Sequence, residues 1–79
     1  YPNPFNPSTT IGFKLDKGSY VKLSVFDING KAVATPLSGF LDAGVHKITF
    51  DAAHLPSGVY LYRLESGNRS DVRKMMLIK

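Results

Sequence analysis

The sequence predicts an all-β domain, an antiparallel two-sheet sandwich of about seven strands with immunoglobulin-like Greek-key connections. Two observations carry this. Apolar and polar residues alternate at period two through most of the chain, and turn-forming residues recur every eight to twelve positions. A third supports it: no segment carries the 3.6-residue apolar period of an amphipathic helix.

The elements follow in order. Residues 1–8 form an extended lead-in arm, and residues 9–79 make up the sandwich. Prolines at positions 2, 4 and 7 remove N–H donors and fix φ, so the arm can neither open a helix nor sit inside a sheet. Asn3 and Asn6, each before a proline, are pushed towards extended geometry, and Tyr1 and Phe5 are the arm's large apolar groups. Ile11, Phe13 and Leu15 alternate with Gly12 and Lys14 as a first strand, and 16–18 turns the chain. Val21, Leu23 and Val25 mark a second strand running to Asp27. Asn29-Gly30 predicts a type I′ hairpin, which needs positive φ at both central residues. A third strand is expected over 31–35, stopped by Pro36, and a separate short edge strand over 39–41.

After a turn at 42–44, His46, Ile48 and Phe50 share one face of the next strand. A corner over 52–57 leads into a strand at 58–65. Here Tyr60, Tyr62 and Leu64 oppose Val59, Leu61 and Arg63, and the apolar groups on both faces indicate a central strand. Within 55–60, Leu55, Gly58 and Tyr60 have the form of a tyrosine corner, whose hydroxyl bonds to upstream backbone. That assigns Tyr60 as a structural brace. A turn at 66–68 precedes a last strand over 71–78.

Composition narrows the function. Seventy-nine residues form one small domain, which buries only about 60% of its unfolded surface and leaves little room for a deep active site. Without cysteine there are no disulfides, thiolate metal sites or cysteine nucleophile. No apolar run is long enough to span a membrane and no signal peptide opens the chain. The start at Tyr1 instead of Met suggests an excised domain or a processed product. Of the net charge of +4, most lies from Arg69 onward, where four basic residues face one acid. That local excess argues against a nucleic-acid binder, which carries a broader positive field.

Catalytic patterns are missing. Asp51, His54 and Ser57 could be read as a hydrolytic set, but no nucleophile elbow or oxyanion loop accompanies them. His46, His54 and Asp51 lack the paired spacing of a metal site. Asp27-Ile-Asn-Gly opens like a calcium loop, yet the sixth and twelfth positions hold Ala32 and Ser38 in place of Gly and Glu. No cofactor is expected and the domain reads as non-enzymatic. Asn68-Arg-Ser70 fits a glycosylation sequon and implies an exposed turn. The aromatics Tyr1, Phe5, Tyr20, Phe26, Phe40, Tyr60 and Tyr62 offer a second class of function, a glycan-stacking module of a secreted hydrolase. A passive domain packed against its parent protein is a third.

The C-terminal run Arg73, Lys74, Met75, Met76, Leu77, Ile78 and Lys79 stands out. Four consecutive apolar residues between basic ones exceed what a protective edge strand needs, since burying one face leaves the other apolar pair exposed. Such a strand suits docking of a partner, or self-association through the edge.

Taken together, Tyr1-Pro2-Asn3-Pro4-Phe5-Asn6-Pro7, the strand at 9–13, 25–31, 43–51, 55–64 and the basic-apolar terminus resemble the C-terminal sorting domain of the type IX (Por) secretion system, A type. The opening motif and Pro56-Ser-Gly-Val-Tyr60 are its specific parts, and the likeness covers the whole chain. One departure is Lys31, where arginine often follows the glycine. Flagellar hook-capping immunoglobulin-like domains share much of the strand pattern. The resemblance implies a domain at the end of a larger secreted protein, read by the outer-membrane translocon. A sortase-like peptidase then removes it and the upstream cargo is attached at the cell surface or released. It also implies that residues 73–79 carry the signal, and that residues 1–7 mark the border near the cleavage position. Neither nucleic-acid binding nor membrane insertion is implied.

Overall fold

The computed structural model describes residues 8–78, all of whose regular structure is β. Six strands run in chain order: β1 (Ser8–Leu15), β2 (Ser19–Phe26), β3 (Ala32–Leu41), β4 (Gly44–Asp51), β5 (Gly58–Ser66) and β6 (Arg69–Leu77). They form two sheets. β1 pairs with β4, and a four-stranded sheet has the order β3-β2-β5-β6. Every pairing is antiparallel.

The alternation read in the sequence matches the layers. Val21, Leu23 and Val25 point inward from β2 and are fully buried. Each contributes about 1.5–3 kcal/mol of apolar burial. Val25, Phe50, Ala52, Leu55, Tyr60 and Leu77 form one core cluster, drawn from both sheets and the corner between them. Ile11 and Leu15 close the inner face of β1. His46 shares the inner face of β4 with Ile48 and Phe50, stacks on Phe13 at 5.5 Å, and its Nε2 lies 2.7 Å from the Asp42 carbonyl.

Three expectations need correction. The described residues hold six strands, not seven, because the short strands expected on either side of Pro36 are one continuous β3. Pro36 does not stop the strand. Leu23 faces Leu37 and Val25 faces Ala34, so Thr35 and Pro36 together oppose Ser24 in a bulge. A proline is tolerated there because β3 is an edge strand and the bulge already interrupts the ladder. The third correction is the Asn29-Gly30 turn. Only Gly30 has positive φ, at 86°, so this is no type I′ hairpin. The Gly30 amide donates to the Asp27 carbonyl, and the Asp27 amide to the Lys31 carbonyl. That leaves a three-residue loop, a turn closed by a glycine bulge. Asp27 Oδ1 accepts from the amides of Asn29 and Lys31, and this preference for a side-chain-capped turn outweighs the two-residue alternative.

Candidate functional site

β6 lies at the free edge of the four-stranded sheet, held by a nine-residue ladder to β5 without any register shift. Alternation splits its side chains into two rows. The inward row follows Leu77, which is buried at 5% exposure against Tyr60 and Phe50, and Met75, which packs beside the same cluster. Arg73 and Asp71 continue this row, opposite Tyr62 and Leu64 of β5. They stay exposed because two strands cannot cover the width of four, at about 4.8 Å per strand. An open cleft of about 850 Å³ remains, lined by β1 from Ile11 to Leu15, by Tyr62 and Leu64, and by Arg69, Asp71 and Arg73. Arg73 Nε lies 3.2 Å from Asp71 Oδ2 at the cleft margin.

The outward row contains Val72, Lys74, Met76 and Ile78. Met76 is 63% exposed and Ile78 75%, so the terminus buries its Met75 and Leu77 side and presents the other. Opposite this row on β5 stand Arg63, Leu61 and Val59, paired with Val72, Lys74 and Met76. Phe26 of β2 continues the row through Leu61. The Arg63 guanidinium lies 4.9 Å from the centre of the Phe26 ring, a cation–π contact, and its Nε is 3.3 Å from Glu65 Oε1. That second contact is an ion pair without hydrogen-bond alignment. Lys74 has no ion-pair partner among the described residues. Val59, Leu61 and Val72 were not singled out in the sequence as part of this surface. The available signal was the apolar content of both faces of β5, which marked a central strand without telling core from open face.

The corner preceding β5 is held by hydrogen bonds. Asp51 Oδ1 accepts from the Ala53 amide and the Leu55 amide donates to the Ala52 carbonyl. The Tyr60 hydroxyl donates to the Pro56 carbonyl at 2.7 Å. Gly58 opens β5 at a φ of 155° and Leu55 is buried in the core cluster. Asp51 thus shapes a turn next to the chain's own backbone. Among the described residues no three His, Cys, Asp or Glu side chains gather as metal ligands. No helix among them is long and apolar enough to cross a membrane.

Among the described residues the aromatic platform considered in the sequence is not assembled. Tyr60 is buried in the core, whereas Tyr20 and Phe40 are exposed at the far end of the β2–β3 pair. Their rings meet nearly perpendicular, at 79° and 5.5 Å, so they do not offer the side-by-side faces on which sugars stack. The border motif Tyr1–Pro7 and Lys79 lie outside the described residues. A family model described as a secretion system C-terminal sorting domain matches residues 1–79. No curated protein and no solved structure gives a significant match.

Proposed function

Because this chain belongs to the family of secretion system C-terminal sorting domains, we propose that it is a folded, non-catalytic signal read by the type IX translocon at its C-terminal strand. The family match across all 79 residues carries this reading. The exposed apolar and basic row at the end of β6 supplies the surface such a reader would use. Residues 73–79 would be the recognition element. The segment 1–7 would join the domain to its cargo, near the bond cut by the sortase-like peptidase. The cargo would then reach the cell surface or the medium.

An immunoglobulin-like Greek key is part of the same proposal. It is supported by the pairing of β1 with β4 opposite the order β3-β2-β5-β6, and by the tyrosine bonded to its upstream corner.

The test is an export assay in a bacterium with a type IX system. A periplasm-directed fluorescent protein carries residues 1–79 at its C-terminus, beside a twin ending at Lys74. Surface or medium fluorescence for the full fusion, with the twin held in the periplasm, is the expected result. If both stay in the periplasm of a host that exports a native sorting domain, the reading fails.

A further inference from the structure

β6 offers a partner three different surfaces: its free backbone edge, its inward row over the cleft, and its outward row on the open face of the sheet. The three would select different partners. A free edge takes an extended strand through main-chain hydrogen bonds. The inward row offers Arg73 already paired with Asp71, and an uncovered cleft. The outward row offers side chains without such satisfaction.

From these differences we infer that the outward face of β5 and β6 is the docking surface, and that it takes a protein partner presenting an apolar strip with a carboxylate set against Lys74. This rests on the sorting reading above and specifies which side of the terminal strand is read.

The argument starts from burial. Met76 and Ile78 are large apolar side chains at 63% and 75% exposure on the last residues described, and Val72 adds a third at 55%. Pairing places Val59 beside Met76, Leu61 beside Lys74, and Phe26 beside Leu61, so the apolar groups form a connected strip across three strands. Single exposed apolar residues are ordinary on any protein, but a contiguous strip rimmed by polar groups marks an interaction surface.

Charge identifies the occupant. Arg63 is engaged by Glu65 and by the Phe26 ring, and Arg73 by Asp71, yet Lys74 in the middle of the strip has no ion-pair partner among the described residues. An ammonium covered by an apolar partner loses its water, and this is tolerated only when an opposite charge replaces it. A partner that covers Met76 and Leu61 must therefore bring a carboxylate to Lys74. This also gives a reason for the uninterrupted β5–β6 ladder, which holds the outward residues of the two strands side by side before the partner arrives.

The fluorescent fusion carrying residues 1–79 provides the test. Met76→Ser with Ile78→Ser removes the strip, and Lys74→Glu reverses the lone charge. Lys74→Arg keeps the charge. Arg69→Gln with Asp71→Asn alters the inward row alone, at positions outside 73–79. A thermal melt of each purified fusion reports folding, and every altered residue is exposed. The expected result is export reduced about tenfold by the two outward-row changes, the size of losing an interface anchor. Lys74→Arg and the inward-row pair should export like the parent. Normal export of the outward-row variants, while removal of residues 75–79 still blocks export, overturns the face assignment and leaves the sorting reading intact. Equal loss from inward-row and outward-row changes overturns it as well. Normal export after removal of residues 75–79 removes both.

Discussion

Replacing Tyr60 by phenylalanine deletes one oxygen atom and leaves the ring in the core. The lost hydroxyl donates to the Pro56 carbonyl at 2.7 Å, while the ring itself is buried among Val25, Phe50 and Leu77. A neutral hydrogen bond of this kind contributes about 0.5–1.5 kcal/mol net, and a carbonyl left without a partner adds about 1–3 kcal/mol when it is sealed from water. Pro56 is exposed, so water can reach its carbonyl and the second contribution falls to its lower end. The sum is about 1.5–2.5 kcal/mol, which for a domain of this size lowers Tm by about 6–20 °C. Urea unfolding of the isolated chain measures it, with the midpoint shifted and the slope m unchanged. Tyr20→Phe, which removes a hydroxyl from an exposed ring, is the control and should stay within about 0.5 kcal/mol. A Tyr60→Phe loss no larger than the control would refute the corner as a stabilising brace. A changed m would instead point to an effect on the unfolded chain.

Three further outcomes follow from the packing. Leu77→Ala should cost about 2–4 kcal/mol in urea unfolding because Leu77 fills the core between the sheets, whereas its neighbour Met76→Ala should change stability by less than about 0.5 kcal/mol. Gly30→Ala should lose about 1–2 kcal/mol by forcing a side chain into the left-handed region at φ 86°, read in the same unfolding experiment. Gly18→Ala should displace the Phe40 ring, since a Cβ there would stand 2.8 Å from the ring tip. NMR ring-current shifts at Tyr20 would report the broken edge-to-face contact, with a stability loss of about 1 kcal/mol or less.

Strand existence was legible because period two is a local property: the burial of Ile11 and Leu15, or of Val21, Leu23 and Val25, follows from alternation alone. Where the sequence misled, a non-local fact decided. Pro36 reads as a strand stop unless one knows that β3 is an edge strand with a bulge at that point. Asn29-Gly30 reads as a two-residue turn unless Asp27 is seen to cap a longer one. The C-terminal surface was half legible. Four consecutive apolar residues announced that one pair would be exposed, but alternation has no sign, and only the placement of Leu77 against Tyr60 and Phe50 shows which pair it is. Val59 and Leu61 escaped for the same reason, as a central strand's second face looks like core until the covering layer is found to be missing.

The four-stranded sheet has two unlike borders. At one, β3 carries a proline and two breaks in register, so an incoming strand meets a bent row with a donor removed. At the other, β6 is straight and proline-free, guarded only by the charges of Arg69, Asp71, Arg73 and Lys74. Within this sheet the molecule therefore has a growth valency of one. Should two copies join β6 to β6 under conditions that screen those charges, they form a closed two-fold pair whose remaining sheet borders are both the bent kind. Pairing through this sheet alone would end in dimers that salt dilution can undo, and the sheet supplies no route from there to a fibre.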